Sequence, residues 1–99
     1  MDERPDPHSS PSRAHVIFQG KVQGVFFRAS TQRKALSLGV QGWVRNLPNG
    51  TVESVMEGSQ KRIEALIHWC CHEMSLSRVD YKEVEWEEPT GEFTDFFIR

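Results

Sequence analysis

Two stretches of helical apolar spacing, each next to β-branched runs and separated by a hairpin signature, constrain this chain more than any other feature. After the strand-like run His15-Val16-Ile17-Phe18-Gln19, which stops at Gly20, the residues Phe27, Thr31, Ala35 and Leu38 recur at three- and four-residue steps opposite Arg33 and Ser37. Gly39 stands where a helix can end in a left-handed residue. The segments Gly42 to Asn46 and Thr51 to Glu57 flank Leu47-Pro48-Asn49-Gly50, whose Pro and Asn-Gly are turn residues, so they predict a β-hairpin. Ser59 can cap a second helix in which Ile63, Leu66, Ile67, Cys70 and Cys71 share one face.

Farther on, Val79 and Tyr81 alternate in one phase and Val84 and Trp86 in the other, which predicts a bulge near Lys82-Glu83. Pro89-Thr90-Gly91 divides this strand from a last one over Phe93 to Ile98. The order strand, helix, strand, strand, helix, strand is the ferredoxin-like split βαβ arrangement. It is an α+β sandwich with a mostly antiparallel sheet of four to five strands and two helices on one face. That plan serves many unrelated functions, so the loops must carry the specificity.

With 99 residues the chain holds one domain. Residues 1–13 carry Pro5, Pro7, Pro11 and Ser9-Ser10 among charges, which predicts a flexible N-terminal tail before a domain over 14–99. Twelve Lys and Arg against fourteen Asp and Glu give a net charge of −2, without a broad electrostatic footprint for nucleic acid or anionic membrane. No apolar run approaches the ~20 residues of a membrane span, and no secretory signal is evident. Together with the adjacent Cys70 and Cys71, which are poorly placed for a framework disulfide, this predicts a cytoplasmic protein with reduced thiols. Its size and short loops fit a monomer.

The stretch Gly20-Lys21-Val22-Gln23-Gly24-Val25-Phe26-Phe27-Arg28 joins a strand to a helix start with two glycines in the turn. Such a turn can aim several backbone N–H groups at one point, and the helix dipole and the Arg28 guanidinium add positive potential for an anion of phosphate size. Lys21 sits too near the start for a nucleotide P-loop. Spacing alone fits a plain strand-to-helix turn as well. Asn46 ends the next strand just before a turn, where its amide can bind water or ligand or cap its own turn.

These two segments together resemble the acylphosphatase family. Its first motif is matched by Gly20 to Arg28, and its second by Gly42-Trp43-Val44-Arg45-Asn46 followed by Gly50, Val52 and Gly58. The resemblance covers nearly everything after the tail, including the Phe93-to-Arg99 ending. It implies hydrolysis of the carboxyl-phosphate bond of small acyl phosphates without metal or other cofactor. It also implies that Arg28 binds the phosphoryl group, that Asn46 positions water, and that the amides of Gln23, Gly24, Val25, Phe26 and Phe27 form the phosphate loop.

The short list of catalytic groups is chemically reasonable. A departing carboxylate, with a pKa of about 4, needs no general acid. A loose phosphoryl-transfer transition state asks mainly for positioning and charge stabilisation. The alternative is a non-catalytic phosphate or carbamoyl phosphate binding module of the same fold. RNA binding fits poorly, since no Lys/Arg-Gly-aromatic motif lies on a central strand. His68-Trp69-Cys70-Cys71-His72 offers ligand types one helical turn apart but no second ligand pair, so it reads as helix packing rather than zinc. Glu83, Glu85, Glu87 and Glu88 read as a solvated strand, and Asn49-Gly50-Thr51 as a hairpin turn.

Overall fold

Alternation within the first strand decides which face of the sheet is covered. In the computed structural model, which describes residues 10–99, β1 (Pro11–Lys21) is followed by α1 (Phe27–Leu38), β2 (Gln41–Asn46) and β3 (Val52–Ser59). Then come α2 (Gln60–His72), β4 (Arg78–Glu87) and β5 (Phe96–Ile98). The sheet order is β4-β1-β3-β2-β5, with β5 parallel to β2 and every other pair antiparallel. Ala14, Val16 and Phe18 of β1, Val44 of β2, and Val52 and Met56 of β3 turn to one side. There they join Phe27 and Ala35 of α1 and Ile63, Leu66, Ile67 and Cys70 of α2 in one buried cluster. This is the ferredoxin-like α+β arrangement, with both helices on one face of a five-stranded sheet.

The helix ends follow local chemistry. Gly39 terminates α1 in the left-handed region (φ 71°), its N–H bonding back to the carbonyls of Ala35 and Leu36. The Ser59 hydroxyl accepts from the Arg62 N–H at 3.3 Å and caps α2.

Four expectations change. Pro11, Ser12 and Arg13, placed by composition in the tail, pair with Ser59, Gly58 and Glu57 as the first residues of β1. Residues 1–9 of that expected tail lie outside the described residues. The bulge in β4 falls at Asp80 rather than Lys82-Glu83: Gln19 faces Tyr81 while Gly20 faces Val79. One extra residue at Asp80 lets Val79 and Val84 both reach the helix-covered face and turns Tyr81 to the open one. The last strand holds only Phe96–Ile98; Phe93 packs instead with Trp43 and Val55 on the open face. Cys71 is half-buried at the margin of the α2 face, whereas Cys70 is fully inside.

Arg13 explains why β1 starts early. Its guanidinium donates to Glu57 at 2.7 Å, Glu87 at 3.0 Å and Glu92 at 3.1 Å. Glu57 in turn accepts from the Thr90 N–H and hydroxyl and the Gly91 N–H, each at 3.0 Å, fastening the β4–β5 connection to the sheet. Burial pushes the Glu57 carboxyl up, but the Arg13 guanidinium and these N–H and O–H donors outweigh it and hold the carboxyl below its ordinary value of 4.5. A depressed folded-state pKa contributes stability that is present above the unfolded-state value and is lost as pH falls through the folded one. Stability should therefore decline below about pH 4.5, and Glu57→Gln should flatten that decline while costing about 2 kcal/mol near neutrality. That cost sits below the 3–5 typical of a broken buried pair because Arg13 keeps two carboxylates. Urea unfolding of both proteins from pH 3 to 7 checks this; parallel curves would contradict it.

Gly42 brings two strands together. Its φ is 141°, and a Cβ built there would collide with the Val55 carbonyl of β3. Gly42→Ala should lower the unfolding free energy by about 2 kcal/mol or more, through strand displacement plus backbone strain. An unchanged urea midpoint would show that β2 can shift freely.

Candidate active site

The site is built where the β1–α1 loop meets the end of β2. Gly24 (φ 75°) and Phe26 (φ 61°) are left-handed, while Val25 between them and Phe27 after them are not. Such alternation turns successive backbone N–H groups toward one concave side. The first backbone bond into α1 runs from the Ser30 N–H to the Phe26 carbonyl at 3.0 Å. The N–H groups of Phe27, Arg28 and Ala29 therefore have no helical acceptor, and the positive end of the helix dipole falls at the same place. Phe26 is the one non-glycine residue with positive φ among the described residues, and it is 73% exposed. Holding a bulky side chain there costs roughly 1–2 kcal/mol, so the loop must be fixed by its surroundings.

Two anchors fix it. Phe27 is buried and meets Phe18 edge-on, with ring centroids 5.1 Å apart, while the Thr31 hydroxyl donates to the Phe27 carbonyl at 2.8 Å. The Gln23 side-chain amide donates to the carbonyls of Leu47 and Thr51, both at 2.8 Å. Those carbonyls belong to the two ends of the β2–β3 turn, so Gln23 ties the glycine loop to the segment that follows Asn46. The sequence suggested Gln23 only as a backbone amide. A side-chain bond to carbonyls 24 and 28 residues away leaves no local signal.

Asn46 shares the helix-covered side of β2 with Gly42 and Val44, because alternate residues of a strand face one way. It thereby looks toward the start of α1. Its Oδ1 is buried and has no hydrogen-bond partner among the described residues. Arg28 is half-buried in the first turn of α1 and makes no hydrogen bond or ion pair among the described residues, unlike Arg13 with its three carboxylates. Gly24, Phe26, Phe27, Arg28 and Asn46 line one cavity of about 310 Å³, together with Ile98 from β5. Gln23 and Val25 stand behind it, the first bonded to the hairpin and the second packed against the core. Ile98 was not anticipated, since only the parallel pairing of β5 with β2 brings it here.

The other chemistry-bearing groups lie elsewhere. Cys70 is buried beside Thr31, and burial pushes its thiol up to about 12, so it stays protonated. His68 and His72 lie on the exposed side of α2 with ring centroids 4.6 Å apart and their planes tilted by 45°. No group of three His, Cys, Asp or Glu among the described residues could hold a metal ion.

A free guanidinium and unclaimed amides gathered at a strand-to-helix turn define a small α+β protein with a cavity whose donors suit a phosphate-sized anion. The Acylphosphatase family model matches residues 14–98, and the chain belongs to the acylphosphatase family. It is 49% identical over 89 residues to an acylphosphatase of Pelotomaculum thermopropionicum, covering 90% of this chain and 97% of that one. It is 58% identical over 79 residues to the acylphosphatase of Thermococcus kodakarensis, covering 80% and 87%. Among solved structures, an acylphosphatase from Coxiella burnetii superposes with a TM-score of 0.83 at 37% identity, covering 90% of this chain and 93% of that one.

Proposed function

We propose that this chain hydrolyses the carboxyl-phosphate bond of small acyl phosphates, releasing a carboxylate and inorganic phosphate, with Arg28 and Asn46 as the catalytic residues. The observation that carries the assignment is the shared cavity, lined by both Arg28, whose guanidinium has no partner among the described residues, and Asn46, whose amide oxygen has none either. Leaving a buried acceptor unpaired costs about 1–3 kcal/mol, a cost that a water molecule donating to Asn46 Oδ1 removes.

Arg28 grips two phosphoryl oxygens through its planar fork, and the amides of residues 23–27 receive the remaining charge. Water donating one hydrogen to Asn46 Oδ1 keeps a lone pair directed at phosphorus. It attacks in line, the P–O bond to the acyl group breaks, and the electron pair leaves with the carboxylate, whose low basicity dispenses with a general acid. Among the described residues no carboxylate or imidazole side chain lines the cavity, and a phosphoryl oxygen takes the proton of the attacking water. No step in this scheme calls on a cofactor.

Among the described residues no helix is long and apolar enough to cross a membrane. We assign the protein a monomeric, cytoplasmic state, a reading that its small size and its two unpaired cysteines, Cys70 and Cys71, support. Release of inorganic phosphate from acetyl phosphate in the presence of a chelator tests the activity. Turnover far above the uncatalysed rate is expected; phosphate binding without turnover would leave the binding-module reading in its place.

A further inference from the structure

A second, larger cavity of about 430 Å³ lies between α1 and the end of α2, and Phe26 lines both it and the cavity of Arg28. Along α1 the groove follows Phe26, Ser30, Lys34 and Ser37, residues three or four apart that form one helix face about 16 Å long. Its opposite wall is Trp69, Met74 and Leu76. Phe26 is 73% and Leu76 59% exposed, which is high for large apolar side chains that face one groove. The charges at the rim do not select an anion. Glu73 lines the groove along with Arg33, so the rim carries both signs of charge, and the Lys34 ammonium lies over the Trp69 ring, 5.6 Å from its centroid.

We infer that this groove receives the acyl group of the substrate and that the enzyme favours acyl phosphates with an extended apolar acyl chain. The inference rests on the proposed hydrolysis at Arg28 and Asn46. In-line displacement puts the attacking water and the leaving oxygen on opposite sides of phosphorus. Asn46, at the end of β2, lines the first cavity but not the groove, so a departing acyl group directed away from Asn46 passes over Phe26 toward α1 and α2. The bare left-handed Phe26 is then the floor across which the chain lies, and its strained placement keeps the passage open. Trp69, Met74 and Leu76 supply contact to the distal methylenes, while acetyl phosphate is too short to reach them.

The test compares acetyl phosphate with hexanoyl phosphate, whose leaving groups have nearly equal acidity, so any difference reports binding of the chain. Wild type should show kcat/KM for hexanoyl phosphate at least about tenfold higher. Leu76→Ser should remove roughly a tenfold share of that advantage without changing acetyl phosphate turnover, and Leu76→Met should restore it. Leu76 is largely exposed, so the fold should survive the change, and circular dichroism melting of each variant verifies that. Equal kcat/KM for both substrates in wild type, or an equal loss for both in Leu76→Ser, overturns the groove assignment and leaves the hydrolytic reading standing. Hydrolysis of neither substrate overturns that reading and the groove assignment with it.

Discussion

Arg28→Gln should reduce turnover of acetyl phosphate by about 10³- to 10⁵-fold, the range in which an arginine contributes to phosphoryl transfer. The expectation rests on the position of the side chain. Arg28 sits in the first turn of α1, where the orphan N–H groups and the helix dipole already favour negative charge, and it lines the cavity with no carboxylate partner among the described residues. Charge that grows on the equatorial oxygens in the transition state meets a donor that is already in place. Arg28→Lys should fail nearly as badly, since an ammonium keeps the charge but cannot bridge two oxygens with a planar fork. Steady-state release of phosphate, with thermal unfolding of each variant as control, measures both. A lysine variant within tenfold of wild type would mean that charge alone suffices and that the fork is dispensable.

Asn46→Ala should lower kcat by about 10²-fold or more while leaving KM and the affinity for inorganic phosphate little changed. The lost group is the buried Oδ1, which accepts no bond from the described residues and is therefore free to hold water. Phosphate affinity should persist because Arg28 and the loop amides stay where Gln23, Phe27 and Thr31 hold them. Asn46 Oδ1 bonds to no other described residue, so Asn46→Ala breaks no internal hydrogen bond of that oxygen and the variant should stay within about 1 kcal/mol of the wild type in stability. An increase in KM at unchanged kcat would move Asn46 from the water to the phosphate.

Both effects depend on the glycine loop, and its support differs in kind from its motif. Gly24 and Phe26 supply the handedness that arranges the amides, but Gln23 determines where the arrangement stands relative to Asn46. Two side-chain bonds to Leu47 and Thr51 couple the glycine loop to the hairpin that carries Asn46. The separation of Arg28 and Asn46 is thereby set by the sheet, through β1 and β2 on either side of β3. A rigid frame of this kind suits a reaction that asks for positioning and electrostatics and little else.

Most elements were legible because their signals are local. The three- and four-residue apolar steps of α1 and α2, Gly39 as the α1 stop, Ser59 as the α2 cap and the Pro-Asn-Gly turn each depend on residues a few positions apart. The errors share a cause. Arg13 reads as a tail residue until Glu57, Glu87 and Glu92 are brought beside it. Alternation within β4 points to a bulge at Lys82-Glu83, whereas its position depends on where Gly20 of β1 meets Val79. Phe93 has the composition of a strand residue, but the Trp43 and Val55 surface of a neighbouring part of the sheet claims it.

The sequence by itself determined the element order, the glycine turn with Arg28 at the helix start, and Asn46 at a strand end, because periodicity, capping and turn chemistry act between near neighbours. The tertiary structure alone decided that Asn46 faces α1, that Gln23 clamps loop to hairpin, that Ile98 closes the cavity and that a groove leads from Phe26 to Leu76. Those features depend on strand register and on hydrogen bonds between residues far apart in the chain, and only the packing of helices on the sheet fixes such partners.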